Sequence, residues 1–404
     1  YSYGTIYQQH RKYNTGKFKA IKVSEESGSM KGIYISDSTD SCERNAKTGV
    51  GNKIKGQIGA FRGLGIQCKN HCVQREELKV WNKLQKRLFV FGDGLDWMIT
   101  EEIQKADFVY IRKPTPISHD FIEFLRKVRL KNLHCKILME LPTYPYDKEF
   151  IHYWHRFPLL LQDRRWRKKL PLYLDRIVTL ESSEKIFGVE ALSISNGIDL
   201  SAYREKKQND TDSFNIGCVA QLEFWHGIDR LICGMAEYQK EGSRKVHIYL
   251  AGEGTQLNAL KELTKEYHLE SFVTFLGALN RKQLYEQLYD RCDIAIEGLG
   301  IHRKDKKLVS SSLKSREYLA VGIPFVTSGC DIAKDEAADF CFRASPDETP
   351  TNIKALMAFY DNLMQKETKA QLTKRIREYA QNKVSWEKSM ESVIRWLTEQ
   401  GCGG

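Results

Sequence analysis

The residues best suited to chemistry lie in the block from Lys307 to Thr327, which reads KLVSSSLKSREYLAVGIPFVT. Three serines precede a short helical pattern that contains Lys314 and Glu317, and Gly322 and Pro324 end that pattern before an apolar strand-like run. A helix entered through small polar residues presents backbone N–H groups and its positive dipole end to an anion, and a lysine in the first turn adds a full charge. This block therefore predicts phosphate binding, with an ordinary amphipathic helix as the alternative.

Glu317 lies three residues after Lys314 and hence on a neighbouring face of the predicted helix. Its carboxylate is suited to accept hydrogen bonds from a sugar or ribose hydroxyl. A solvated surface charge is the alternative for this residue as well.

A second candidate carboxylate, Glu140, closes the apolar strand pattern CKILMEL. The loop that follows it, PTYPYDKE, has two prolines and two tyrosines and is therefore expected to be rigid. We expect the Glu140 carboxylate to face a cleft. There it would act as a general base, orient an acceptor hydroxyl, or accept hydrogen bonds from the loop backbone, and the sequence leaves these three roles open.

The segment from Ile151 to Arg176 interleaves aromatic and apolar residues with a dense basic cluster. This composition is typical of a segment that lies on an anionic membrane surface, and a solvated basic helix face is the alternative. Nucleic-acid binding is disfavoured because no nucleic-acid-binding motif accompanies the charge. The predicted membrane-facing residues are Trp154, Arg164, Arg165, Trp166, Arg167, Lys168 and Lys169.

Length and composition indicate the class of protein in which these sites lie. A chain of 404 residues with 41% hydrophobic and 28% charged residues fits two domains of a soluble globular protein. No apolar run approaches the roughly 18 residues of a membrane span, and the ten cysteines lack metal-ligand spacing, so a reduced cytosol is expected. The net charge of +11 favours nucleic acid, acidic membrane lipid or phosphorylated ligands as partners and does not distinguish among them.

The first 29 residues are predicted to be a fused tail, because Met30 opens a clean strand pattern directly after the sequence SGS. The tail holds five Lys or Arg and two Glu, so it carries +3 and leaves +8 for the remainder.

Strand patterns then alternate with helical patterns of 10 to 15 residues throughout the chain. This alternation predicts an α/β protein with two doubly wound, Rossmann-like domains, whose ligands lie beyond the carboxyl ends of parallel strands. The predicted domains are residues 30–203 and 204–380, followed by a C-terminal helical segment, residues 381–404, with the polar run 204–213 as the linker. Gly49 and Gly51 form a strand-to-helix turn that lets the backbone approach a ligand closely.

Several stretches together resemble the family 4 retaining glycosyltransferases of the GT-B fold. They are IGCVAQLEFWHGIDRLI, IYLAGEG, VTFLGAL, the SLKSREYLAVGIPFV block and the NGID segment, and the chain is most similar to bacterial capsule and exopolysaccharide enzymes. The resemblance implies two domains facing a cleft, a nucleotide-sugar donor in the second domain, an acceptor in the first, and a last helix that crosses back to the first domain. The donor-binding residues expected on this basis are Gly49, Gly51, Gln221, His226, Gly252, Ser311, Ser312, Leu313, Lys314 and Glu317.

The sequence also departs from the family pattern. The second glutamate of the usual Glu-x7-Glu pair matches Glu317, but the first falls at Val309. Gln221 and His226 stand where the family commonly has an arginine and a lysine on the donor diphosphate, and Glu140 stands at the place of a family histidine. Lys314, with the neighbouring serines, is expected to compensate.

The resemblance implies front-face transfer of a sugar with retention, in which Glu140 and Lys314 are the candidate catalytic residues and no metal is required. The expected partners are a nucleotide-sugar donor, a lipid-linked saccharide acceptor and the anionic inner face of the plasma membrane, where the protein would be a peripheral cytoplasmic enzyme. Two alternatives keep the fold: a catalytically inert binding subunit of a transferase complex, and a sugar-nucleotide epimerase.

Overall fold

The computed structural model describes residues 29–37, 49–74, 93–151, 156–304 and 311–399. Within these residues the chain forms two α/β units, each built around its own sheet. The position Val309 and the tail residues 1–28 lie outside the described part of the chain.

The first sheet has seven described strands in the order β2-β1-β3-β4-β5-β7-β6, with parallel pairing except between β6 and β7. Its strands are β1 (Lys31–Asp37), β2 (Gln67–Val73), β3 (Phe108–Arg112), β4 (Lys136–Leu141), β5 (Arg176–Thr179), β6 (Lys185–Ile186) and β7 (Val189–Ser193). Its helices are α1 (Gly49–Gly63), α2 (Glu101–Gln104), α3 (His119–Lys131), α4 (Asp147–Ile151) and α5 (Phe157–Trp166), the last followed by a 3₁₀ turn (Arg167–Leu172).

The central strands of this sheet are buried on both faces, as expected for a parallel sheet covered by helices. Ile33 and Ile35 of β1 pack into one core, whereas Tyr34 packs into a second core on the opposite face. The edge strand β2 was not predicted, because its sequence QCKNHCV is polar and mostly solvent-facing, so it carries no apolar signal.

The second sheet has six described strands, all paired in parallel, in the order β10-β9-β8-β11-β12-β13. They are β8 (Phe214–Val219), β9 (Val246–Ala251), β10 (Val273–Gly277), β11 (Ile294–Gly298), β12 (Phe325–Thr327) and β13 (Cys341–Arg343). The helices of this half are α6 (Ile228–Gln239), α7 (Leu257–Glu266), α8 (Arg281–Leu284), α9 (Ile301–Lys304), α10 (Leu313–Val321), α11 (Ile353–Lys366) and α12 (Lys369–Tyr379).

The predicted fold class, α/β with two doubly wound parallel sheets, is confirmed. In each sheet the strand order reverses between two neighbours, β1 and β3 in the first and β8 and β11 in the second. Ligands of such sheets bind in the crevice outside the carboxyl ends of the strands at these reversals.

Two short helices complete the chain, α13 (Trp386–Ser389) and α14 (Glu391–Glu399). Their apolar residues, among them Trp386 and Leu397, pack into the core of the first unit, together with Tyr34 and Leu138. The chain therefore passes between the two units twice.

The first of these passages lies earlier than the sequence predicted. The polar run 204–213 lacks helix and strand, but it lies against the second unit: Arg204 forms an ion pair with Asp290, and the Lys206 ammonium donates to the Cys292 carbonyl. The connection between the units is thus the segment Asn196–Asp199. None of the described helices is long and apolar enough to span a membrane.

Candidate functional site

The helix predicted from the three serines is present as α10. Ser312 is its N-cap, and the Ser312 hydroxyl accepts a hydrogen bond from the Ser315 backbone N–H at 3.2 Å. Gly322 ends the helix in the left-handed conformation with φ of 85°, which a glycine adopts without strain. The helix start is therefore encoded locally, as the sequence indicated.

Lys314 lines a cavity of about 480 Å³ at the carboxyl ends of β8, β9 and β10, here called the strand-end cavity. Gln221 follows β8, and Gly252 follows β9, in the wall of the same cavity. A Cβ atom at Gly252 would lie 1.8 Å from the Ala220 carbonyl oxygen, so only glycine fits there. The remaining lining residues are Val219, Ala220, Ala251, Glu253, Ala278, Leu279 and Leu284.

Leu313 and Glu317 line a second cavity of about 240 Å³, here called the hinge cavity, because both units and the connection between them contribute to its wall. Helix α1 supplies Asn52, Lys53, Lys55 and Gly56, the connection supplies Gly197, Ile198 and Asp199, and the residues that follow the connection supply Ala202 and Tyr203. Arg281 and Trp386 complete it. The first turns of α10 thus lie between two cavities, with the lysine facing one and the glutamate facing the other.

Glu317 has few compensating groups. The Tyr203 hydroxyl donates to its carboxylate at 3.1 Å, and Arg281, which lies over the Tyr203 ring at 4.6 Å, supplies the nearest positive charge. Burial raises the pKa of Glu317 above its usual value, because Tyr203, Arg281 and Tyr289 offset the loss of solvent only in part. A ligand that donates hydroxyl groups to this carboxylate would replace part of the lost hydration.

Glu140 is placed differently from the prediction. The residue is 0% exposed, so its carboxylate does not face the cleft. The Lys53 ammonium lies 2.7 Å away and the Arg112 guanidinium 3.7 Å away, while the Tyr110 hydroxyl and the Gln57 amide donate at 2.7 and 2.8 Å. Burial acts to raise the pKa of Glu140, but Lys53 and Arg112 outweigh it and lower that pKa to about 2.

The consequence for Glu140 is a positioning role. A carboxylate with such a low pKa is a poor proton acceptor near neutral pH. The ion pair with Glu140 instead fixes Lys53, which lines the hinge cavity. The loop after β4 has no part in this contact, because the partners come from α1 and β3.

The other predicted donor residues are only partly brought together. Ser311 accepts a hydrogen bond from the Asn196 backbone N–H at 2.8 Å, so its hydroxyl is engaged with the connection between the units. His226 caps the turn Phe224–His226, where its Nδ1 accepts from the Glu223 N–H, and it lines neither cavity. Gly49 and Gly51 form the first turn of α1, next to the hinge-cavity residues of that helix, without lining either cavity.

Four residues at or beside the cavities were not predicted from the sequence: Lys53, Tyr203, Arg281 and Arg316. Lys53 and Arg281 each stand near the start of a helix that follows a strand of its sheet, which is a usable signal. Arg316 and Tyr203 gave no such signal, because the bonds from Arg316 to Asn196 and from Tyr203 to Glu317 connect residues more than a hundred positions apart.

The basic segment is partly neutralised within the first unit. Arg164 and Arg167 both form ion pairs with Asp147 at 2.6 Å. Arg165, Lys168 and Lys169 are exposed, and Trp166 is half-buried, with its ring 4.9 Å from the His119 ring. Trp154 lies outside the described residues. Four large apolar residues of the same segment are also exposed: Ile151, Phe157, Leu161 and Leu172.

The second half of the chain, residues 200–383, matches the family model described as glycosyl transferases group 1. No curated protein matches the chain significantly.

Solved structures to which the chain is similar include the lipopolysaccharide outer core galactosyltransferase WaaB in its apo form. It is 12% identical with a TM-score of 0.53, over 92% of this chain and 100% of that chain. Anabaena Alr3699/HepE, solved in complex with UDP-glucose, is 13% identical with a TM-score of 0.53, over the same shares. A glycosyltransferase from Rickettsia africae is 12% identical with a TM-score of 0.54, over 94% and 100%. The chain therefore has the GT-B fold, and its second half is similar to the group 1 glycosyl transferases.

Proposed function

We propose that this protein is a retaining glycosyltransferase that moves a sugar from a nucleotide-sugar donor to a lipid-linked saccharide in the synthesis of a bacterial surface polysaccharide. The observation that carries the proposal is the position of Lys314, which lines the strand-end cavity in the first turn of α10. A lysine, free N–H groups and a helix dipole together favour a diphosphate at this place. The match of residues 200–383 to the group 1 transferase model supports it.

In this proposal the donor lies across the start of α10. The nucleotide occupies the strand-end cavity, its diphosphate contacts Lys314 and Gln221, and Glu317 accepts hydrogen bonds from hydroxyl groups on the hinge-cavity side. The position of Glu317 in the wall of the hinge cavity and its raised pKa fit a carboxylate that gains partners when a ligand binds.

The chemical step requires stabilisation of the leaving diphosphate. The acceptor hydroxyl oxygen bonds to the anomeric carbon on the face from which the diphosphate departs, the anomeric C–O bond to the diphosphate breaks, and the hydroxyl proton passes to the departing phosphate oxygen. Lys314 stabilises the charge that develops on that phosphate. Glu140, buried and paired with Lys53, takes no part as a nucleophile, which is consistent with front-face attack and retention.

We expect this step to proceed without a metal, because Lys314 and the start of α10 stabilise the negative charge on the leaving diphosphate. Undiminished turnover in EDTA is the expected outcome, and recovery of activity only on addition of Mg²⁺ or Mn²⁺ would show that Lys314 is insufficient.

Nucleotide binding is the first test of the proposal. We expect UDP, GDP, ADP or TDP, added separately, to raise the melting temperature of the protein, because a ligand that binds only the folded state stabilises it. UDP is the first probe because Alr3699/HepE was solved with UDP-glucose. Lys314→Ala should weaken binding by about tenfold or more, whereas Lys354→Ala, which removes an exposed lysine of α11, should not. A chain that binds none of the four nucleotides would refute the assignment.

The inert binding subunit remains the second candidate. It is favoured by Gln221 and His226 in the places of basic diphosphate ligands and by Val309 in place of a glutamate. Slow release of nucleotide from a bound nucleotide-sugar, in the absence of acceptor, would identify an enzyme, since a binding subunit should release none.

The exposed cations and apolar residues of the basic segment support a peripheral position at the inner face of the plasma membrane. Phe157, Leu161 and Arg165 recur at intervals of four along α5, so they lie on one face of this helix. Apolar side chains flanked by cations are suited to anionic lipid headgroups.

Vesicle binding tests this part of the proposal. Replacement of Arg165, Lys168 and Lys169 by glutamine should abolish sedimentation with vesicles that contain phosphatidylglycerol. The matched triple replacement of Lys261, Lys265 and Lys374, which are exposed on the second unit, changes the net charge equally and should leave sedimentation intact. Equal loss in both variants would mean that net charge, and not this segment, governs binding.

A further inference from the structure

The connection Asn196–Asp199 has no part in the proposed chemistry, yet it holds the start of α10 through several hydrogen bonds. Asn196 is 7% exposed. Its backbone N–H donates to the Ser311 hydroxyl at 2.8 Å, and its side-chain Nδ2 donates to the Ser311 carbonyl at 2.6 Å. One asparagine thus bonds to both the hydroxyl and the backbone carbonyl of the residue that precedes the N-cap of α10.

A third bond to Asn196 comes from inside α10. Arg316 is 0% exposed, and its Nε donates to the Asn196 carbonyl at 2.8 Å. The two terminal nitrogens of the same guanidinium donate to the Asp331 carboxylate at 2.6 and 2.5 Å. A buried arginine is stable only when its donors are satisfied, so Asn196 and Asp331 together fix its geometry.

The same connection is joined to the second passage between the units. The Ile198 N–H donates to the Val384 carbonyl at 2.9 Å, and Ile198 forms an isolated parallel bridge with Ser385. Gly197 lies so close to Trp386 that a Cβ atom there would be 2.6 Å from the indole ring. Both passages and the start of α10 therefore form one bonded unit.

We propose that Asn196 is a positioning residue for the donor site: it fixes Ser311, and through Ser311 the N-cap and Lys314, relative to the first unit. The inference rests on the proposed function, because it assumes that a nucleoside diphosphate binds at the start of α10. Displacing a binding group by about 1 Å or less is enough to lower affinity and rate substantially. Within Asn196 this role depends on the side-chain Nδ2, because that atom donates to the Ser311 carbonyl oxygen.

Asn196→Ala and Asn196→Asp test the proposal in the full-length protein. Asn132 offers a control of the same residue type: its Nδ2 donates to the backbone carbonyls of Gln104 and Ala106, at the amino-terminal side of β3 and β4 in the first unit. Asn132→Ala should therefore lower the melting temperature without changing nucleotide affinity. The measurements are melting temperature and the Kd values for UDP, GDP, ADP and TDP by calorimetry.

We expect Asn196→Ala to weaken the tightest of these four nucleotides by about tenfold relative to Asn132→Ala at comparable melting temperature. Asn196→Asp should lose at least as much, because a carboxylate oxygen replaces Nδ2 against the Ser311 carbonyl. If the parent binds a nucleotide and both Asn196 variants bind it equally well, Asn196 is merely structural and the inference is wrong. If the parent binds no nucleotide, the proposed function fails and the inference fails with it.

Discussion

Two glutamates beside the hinge cavity show how one residue type is used in opposite ways by the two units. Glu140 of the first unit is fully buried but receives two cations and two hydrogen-bond donors, so its pKa falls to about 2. Glu317 of the second unit interacts with the Tyr203 and Tyr289 hydroxyls and with the Arg281 charge, and its pKa rises because these groups do not offset its burial. The first carboxylate is satisfied by the protein alone, whereas the second is not.

This difference distinguishes a carboxylate that stabilises the fold from a carboxylate that is suited to bind a ligand. A fully compensated carboxylate stabilises the fold and has little to gain from a ligand. A carboxylate left with too few partners costs stability, and such residues concentrate where a ligand completes the site. We therefore expect substitutions of Glu140 to change mainly stability and substitutions of Glu317 to change mainly binding.

The largest expected effect follows removal of Glu140. Glu140→Ala leaves the Lys53 and Arg112 charges without their carboxylate in a buried place, so the free energy of unfolding should fall by about 3–5 kcal/mol. Denaturant titration measures this change. Glu101→Ala removes an exposed glutamate that pairs with Lys105 and should leave the denaturation midpoint unchanged. Similar midpoints for the two variants would contradict the structural role of Glu140.

Lowering the pH should reproduce part of the loss in unfolding free energy that we expect for Glu140→Ala. The pKa of Glu140 is about 2 when folded, against a value of 4.5 for an unperturbed glutamate, so its ion pairs contribute stability that is complete above about pH 5. The contribution, about 3 kcal/mol, is lost as the pH falls from 4.5 towards 2. The stability difference between the parent and Glu140→Gln should therefore shrink over this range. A difference that is independent of pH would show that the carboxylate is not selectively stabilised in its charged form.

Substitution of Glu317 should change mainly nucleotide binding rather than stability. Glu317→Gln keeps the shape of the side chain but removes the charge that accepts hydroxyl hydrogen bonds, so nucleotide affinity should fall by about tenfold. Calorimetry with UDP, GDP, ADP and TDP measures it, and Glu336→Gln, an exposed substitution on the second unit, serves as the control. Unchanged affinity in Glu317→Gln would remove this carboxylate from the donor site.

The contrast between the two glutamates also explains what the sequence predicts and what it does not. Helix α10 with its N-cap Ser312 and its glycine end depends on neighbouring residues, and a local pattern was enough to predict it. The environment of Glu140 depends on Lys53, which is 87 positions away, and its burial followed from a sheet register that pairs it with Arg112. No local pattern contains such contacts.

The site itself was predictable to a similar extent. Lys314, Gln221 and Gly252 stand at strand or helix ends, and parallel strands bring such ends to one edge, where the structure places all three around one cavity. The hydroxyl of Ser311 was expected to face the donor, but Asn196, 115 positions earlier, uses it as an acceptor. A residue at the correct end of a helix or strand can still bond to a partner that is distant in the sequence and close only in the folded protein.

The smallest expected effect concerns the stability of Glu317→Gln. Because burial raises the pKa of Glu317, the folded state favours its neutral form, and the charged form costs stability once the pH rises above about 4.5. Glutamine removes that cost, so the variant should melt about 1–3 °C above the parent at pH 8, and the gain should vanish near pH 4. Thermal unfolding without nucleotide at both pH values measures the difference. A variant that melts below the parent at pH 8 would mean that Tyr203 and Arg281 already satisfy the carboxylate, and the distinction between the two glutamates would then be one of degree.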